Sequence, residues 1–256
     1  MPASSTHRLP NGSLVVFEEE GHRYTCDGML VESSTERIGQ YFSPFNADEV
    51  SFGCAKKAAK EEFGPREEAP DGWLAERAAK FRAEWKATAE RGTRIHAAIE
   101  RVLSGEEWAE TPETLPYQEY ANGLLLKIRE TYPDAEIYTE LLLADPKLGV
   151  AGTADLVIHI GRHWIITDWK TGNQRIKGHW GIGICSDLLD TSETKYGLQT
   201  LLYAHLLRAS GYAEADEDIE THVIFLADDG DEAVPREMDI SDEKNLQGHL
   251  NRMLFG

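Results

Sequence analysis

The stretch Gly149–Lys170, GVAGTADLVIHIGRHWIITDWK, constrains this chain more than any other. It reads as two strands joined by a tight turn at Gly161-Arg162, each delivering one acid, Asp155 and then Asp168. Lys170 follows Asp168 by two places, and residues i and i+2 of a strand face the same side, so the pair projects together. Asp155 alternates with Leu156 and Ile158 in a strand that has little reason to hold a charge, because burying a carboxylate costs several kcal/mol without compensation. An edge-strand acid facing water and an ordinary Asp–Lys surface pair are the plain structural readings. The sharper reading joins the two acids at one end of a sheet. Two carboxylates and a lysine so placed suit metal-assisted phosphodiester hydrolysis: the acids hold a hard cation, and the ammonium orients the nucleophile or balances developing charge.

The rest of the chain supplies candidates to complete such a site. His96 in RGTRIHAAIE sits on a helical run, with Glu100 one turn later on the same face. A neutral imidazole is a competent ligand beside carboxylates for magnesium and more so for manganese. Glu140 lies on the strand expected before Asp155, and Gln199 and Tyr203 share a helix face at i, i+4. That last pair suits a hydrogen bond to a phosphate or to the lysine.

Between these motifs the pattern is that of an α/β domain with a mixed central sheet flanked by helices. Residues 1–12 read as a flexible tail and 13–256 as a single domain. Within it, 13–133 hold an N-terminal hairpin and helices, 134–227 the catalytic core, and 228–256 an acidic C-terminal part. Ser34 or Thr35 is the expected cap of a short helix through Gln40. Leu74, Ala78, Phe81 and Trp85 mark the apolar face of a long helix beginning near Asp71, which Gly92 is expected to interrupt before a second run ending at Gly105. Trp73, Arg77, Phe81 and Trp85 mix aromatic and basic character, which suits stacking on a single strand; a core face plus a solvated face is the plainer reading. Residues 171–197 hold five glycines and no clear periodicity, and stretches of that kind are commonly functional. Arg175, Lys177 and His179 fall there, placed to touch a phosphate backbone.

Charge sets a limit. The formal net charge is −19, with 13 acidic and 3 basic residues from Ala213 to Gly256. Phosphate binding is carried by Lys and Arg, so nucleic-acid affinity has to be local. Residues 56–101 hold a slight positive excess, 11 basic to 9 acidic. Three dispersed cysteines, Cys26, Cys54 and Cys185, fit free thiols in a reducing compartment better than disulfides or a zinc site. No apolar run approaches a membrane span, and the N-terminus lacks the apolar centre of a signal peptide. A cytoplasmic location is expected, in a host's cytoplasm if a phage encodes the chain.

Taken in order, Gly92-x-x-x-His96, Gly152-x-x-Asp155, Asp168-Trp169-Lys170 and Gln199-x-x-x-Tyr203 resemble the PD-(D/E)XK nuclease superfamily, its RecB-like branch in particular. The resemblance covers roughly residues 90–205. More weakly, HRYTCDGMLVESST and the aromatic helix are similar to phage and mitochondrial-maintenance exonucleases. The resemblance implies a restriction-endonuclease-like core and a metal-dependent DNA exonuclease, and the aromatic-basic helix 73–94, able to hold a threaded strand, points to single-stranded DNA or DNA ends as its substrate. It implies magnesium or manganese held by His96, Asp155, Asp168 and the Trp169 carbonyl. Lys170 would position or activate the attacking water, and Gln199 and Tyr203 would support the lysine and substrate, with Glu100 and Glu140 as further acids. Ala154 stands where the superfamily's name puts proline, and the cysteines that hold an iron–sulfur cluster in some relatives are absent, so none is expected. A junction or flap endonuclease on the same fold and a catalytically silent binding module are the rival readings. A DNA-delivering partner protein fits the acidic charge.

Overall fold

The computed structural model describes residues 4–65, 67–107, 109, 111–171, 176–228, 233–237 and 243–256. Two compact units emerge, Met1–Ser43 with Ile95–Gly256, and Pro44–Arg94.

The larger unit is built on a mixed sheet. Strands β1 (Ser4–Arg8), β2 (Leu14–Glu18), β3 (Arg23–Cys26) and β4 (Met29–Ser33) form an antiparallel meander. β5 (Glu136–Asp145), β6 (Val150–Ile160) and β7 (His163–Lys170) form a second one, and β10 (Asp218–Asp228) runs parallel to β7. β11 (Ala233–Glu237) closes that edge beside β10. Ser4–Arg8 lie in the segment read from the sequence as a tail; they are a strand because Leu9 beyond them is buried in a small core with Val15, Tyr24 and Cys26.

Helices cover both faces. On one, α5 (Ser192–Ala209) and α6 (Glu243–Phe255) share a core with Leu141, Leu143, Val150, Ala154 and Ile166. On the other, the end of α3 (Trp73–Leu103) and α4 (Leu115–Thr131) pack on Leu156, Ile158 and Trp169. The short α1 (Ser34–Gly39) is capped by Ser33, not by Ser34 or Thr35. The Ser33 hydroxyl accepts from the Glu36 N–H while the Glu36 carboxylate accepts from the Ser33 N–H, a complete capping box.

α3 (Trp73–Leu103) is one helix of 31 residues, and Gly92 does not interrupt it. A helical glycine costs about 1 kcal/mol relative to alanine, which the strong helix formers around it offset. From Ile176 onward, the stretch expected to be irregular holds regular structure. β8 (Ile176–Trp180) and β9 (Leu189–Thr191) form a hairpin around a 3-10 turn at Gly183–Cys185. α5 then starts at Ser192, within the stretch expected to be irregular, because the Thr191 hydroxyl caps the Thr194 N–H.

The smaller unit holds α2 (Ala47–Glu62), capped by the Asn46 side chain, and the first part of α3. Arg82 joins the two helices through Ser51 at 2.8 Å and Asp48 at 3.4 Å.

Candidate active site

The site begins with a gap in the sheet. β5 pairs along one edge of β6, so β4 and β7 have to share the other. β4 takes Val150 and Ala151, and β7 takes Leu156 to Ile160. Between them Gly152–Asp155 meet no partner strand on that edge among the described residues. Asp155 fills the break itself: its Oδ2 accepts the Trp169 N–H at 2.7 Å, so a side chain does the work of the missing ladder bond.

The opposite edge breaks at the same level. The β5–β6 register passes from Thr139↔Leu156 to Leu141↔Ala154, and the intervening Glu140 and Asp155 are not a ladder pair. Glu140 has φ 46°, in the left-handed region that side chains disfavour at a cost of about 1–3 kcal/mol. Both strands turn over there. Ala154 lies in the core with α5, yet Leu156, which would share its face in a regular strand, lies in the core with α3 and α4. Leu141 and Ile137 are split in the same way.

That double irregularity assembles His96, Glu140 and Asp155, whose ligand atoms all lie within 4.8 Å of one another. His96 comes from α3, with Nδ1 3.5 Å from Asp155 Oδ2. Burial works to lower the His96 pKa, but the hydrogen bond and charge of Asp155 outweigh it and leave it raised. Burial first, and then the Asp155 and Glu100 charges, push Glu140 up to about 8. Glu100 is also raised, mainly by burial, with Asp155 among the contributors. Carboxyl groups here are held against their mutual repulsion.

Asp168 stands apart from that trio. It is buried on the α5 side, and Lys170 Nζ lies 2.5 Å from its Oδ2, an ion pair that is this oxygen's only partner among the described residues. Burial raises Asp168 above the usual carboxylate range, with Lys170 opposing it. For Lys170, burial acts to lower the pKa, and Asp168 and Asp155 more than compensate. Trp169 points the other way, buried in an edge-on contact with Tyr120.

α5 completes the lysine's surroundings. Gln199 Oε1 accepts from Lys170 Nζ at 3.4 Å, and Gln199 Nε2 donates to Tyr203 Oη at 2.7 Å. Tyr203 is buried and sits against β6 only because residue 152 is glycine: a Cβ there would lie 2.8 Å from Tyr203 Cε1 and 3.0 Å from Ser34 Oγ. Four nearby residues escape sequence reasoning. Ser34 lies 3.5 Å from Tyr203 Oη, and Tyr24 bonds Thr153 Oγ1 at 3.0 Å. Tyr196 places its ring 4.6 Å from Lys170 Nζ. Only Tyr196 carries a signal, at i−3 from Gln199 on the same helix face.

The expected DNA-contacting residues are placed less uniformly. On α3, Trp73 packs edge-on against Phe63, Phe81 stacks on Trp85, and Arg77 lies over Phe81 at 5.0 Å, all partly buried within the smaller unit. Their aromatic contacts serve packing there. Lys177 is on β8, His179 is exposed, and Arg175 lies outside the described residues.

A mixed sheet flanked by helices, with acids on two neighbouring strands and a lysine two places after the second, defines the restriction-endonuclease-like class of α/β proteins. Residues 67–254 match the family model of the PD-(D/E)XK nuclease superfamily, and the chain belongs to that superfamily. A comparison with curated proteins finds no match. Nucleases of this superfamily generally use divalent metal ions. The donors here fit one: an imidazole nitrogen and two carboxylate oxygens are suitable ligands for magnesium or manganese. A cation would also offset the burial and the neighbouring acids that push Glu140 up. Among the described residues no helix is long and apolar enough to cross a membrane.

Proposed function

We propose that the chain is a metal-dependent DNA exonuclease of the RecB-like branch, of the phage or mitochondrial-maintenance type, acting on single-stranded DNA or DNA ends. The observation that carries the reading is the His96–Glu140–Asp155 donor group standing one strand away from the Asp168–Lys170 pair. His96, Asp155, Asp168 and the Trp169 carbonyl hold the ion, and Glu140 joins them with Glu100 in support. Once bound, magnesium or manganese supplies Lewis-acid charge to the scissile phosphate and to water. Lys170 orients the attacking water and balances charge on the phosphate, while Gln199 and Tyr203 fix the lysine.

Arg175 and Lys177 contact the phosphate backbone in this reading, and the exposed parts of Trp73, Arg77, Phe81 and Trp85 hold a strand by stacking. Residues 13–256 work as one nuclease domain. The acidic C-terminal part makes DNA affinity alone weak and steeply salt-dependent, so a partner protein delivers the substrate. The protein works in the cytoplasm. A time course on linear and circular DNA, single- and double-stranded and labelled at each end, tests the reading. Metal-dependent loss of linear substrate with circular single strands left intact is expected. Cutting of circular strands would assign the site to a junction or flap endonuclease instead.

A further inference from the structure

Lys170 is held by more than the motif residues. Asp168 grips the ammonium on one side at 2.5 Å, and Gln199 offers a long 3.4 Å contact on another. The Tyr196 ring also lies against the ammonium, its centroid 4.6 Å from Nζ, well inside the roughly 6 Å range of a cation–π contact. Tyr196, Gln199 and Tyr203 lie at i, i+3 and i+7 of α5 and therefore form one stripe facing the lysine. Lys170 has little solvent to compete for its charge, with its side chain 18 % exposed.

We infer that Tyr196 is a positioning residue for the nuclease reaction, its ring face holding the Lys170 ammonium in place when Asp168 turns its charge to other work. The inference rests on the proposed role of Lys170. Asp168 has two claims on it, the lysine and the ion it is assigned to share. A lysine anchored by Asp168 alone would be released when the carboxylate is drawn away. The long Gln199 bond is a weak substitute, whereas an aromatic face attracts an ammonium without a proton acceptor and leaves its N–H bonds available for water and phosphate.

The test compares Tyr196→Phe, which keeps the ring face, with Tyr196→Leu and Tyr196→Met, which do not. Steady-state cleavage of linear DNA at saturating magnesium is read beside melting temperatures and the 15N-edited NMR signal of the Lys170 amino group in metal-free protein. Loss of the ring is expected to lower kcat by roughly 3- to 30-fold with KM unchanged, and the phenylalanine variant to restore it to within about threefold of wild type. The Lys170 signal is expected to move in the leucine and methionine variants and to stay in the phenylalanine variant. Equal losses in all three would assign the effect to the hydroxyl, and a rise in KM alone would make Tyr196 a substrate contact; either overturns the inference. So does wild-type kcat in both non-aromatic variants. If the wild type cleaves no DNA, the nuclease reading fails by itself. The lysine signal then decides on its own whether the ring holds the ammonium.

Discussion

Glu140 and Asp155 stand opposite each other on neighbouring strands, and the ladder between those strands omits them both. Like charges directly opposite in a sheet are destabilising, and Glu140 adds a left-handed backbone to the cost. A fold keeps such a pair only where surrounding structure over-determines it, and strain of this kind clusters at functional sites.

That cost is measurable in metal-free protein. Glu140 has a folded pKa of about 8, above its ordinary value of 4.5. Its contribution to stability is therefore fully present below about pH 4.5 and is lost as pH rises through about 8. Glu140→Gln does not titrate. The variant is expected to match wild type near pH 5 and to exceed it by about 2–5 kcal/mol near pH 9. Urea unfolding in chelator at the two pH values checks this, and a difference that does not change with pH would contradict it.

Metal should reverse the penalty. Magnesium or manganese at ten times its Kd stabilises a protein by about 1.4 kcal/mol, a rise of about 2–4 °C in Tm for a chain of this size. The rise is expected to vanish in Asp155→Asn and to shrink in His96→Ala. Because Glu140 must give up its proton to act as a ligand, the shift should grow between pH 6.5 and 8.5. Thermal melts across a metal titration read both effects.

Much of this site was legible beforehand, for a physical reason. The roles proposed for Asp155, Asp168, Lys170, Gln199 and Tyr203 need chemistry that few residue types can supply, so their spacing shows in the sequence. What stayed hidden depends on backbone and neighbours. Nothing in AEIYTELLLA announces that Glu140 adopts a left-handed conformation, or that Ala154 and Leu156 will lie in different cores. The fold class was readable from the order of its elements. Ser33 was missed as a cap because three consecutive hydroxyl residues compete for the position, and only the partner Glu36 decides among them. The strand at Ser4–Arg8 owes its order to distant contacts, such as His7 with Tyr212, that no local pattern encodes.

The glycine of the Gly152-x-x-Asp155 motif has a packing role that a small substitution exposes. Gly152→Ala pushes a methyl against Tyr203 and Ser34, and overpacking of this kind costs about 1–3 kcal/mol. Because Tyr203 anchors Gln199, the variant is expected to lose activity beyond its loss of stability. Denaturant unfolding beside cleavage kinetics separates the two.

The Asp168–Lys170 pair is buried, and breaking one side of a buried pair costs about 3–5 kcal/mol while replacing both sides costs far less. Lys170→Met alone is expected to be markedly destabilised, and Asp168→Asn with Lys170→Met to recover most of that loss. A double variant no more stable than the single one would mean that Asp168 is not charged in the fold.

The folded double variant gives the most direct measurement of the central claim, which is that these strands carry a metal-dependent nuclease centre. Linear end-labelled DNA is incubated with wild type and with the double variant, in magnesium and in chelator. The expected result is cleavage by wild type in magnesium alone. Cleavage that survives in chelator, or in the double variant after contaminating nuclease has been excluded, would contradict it.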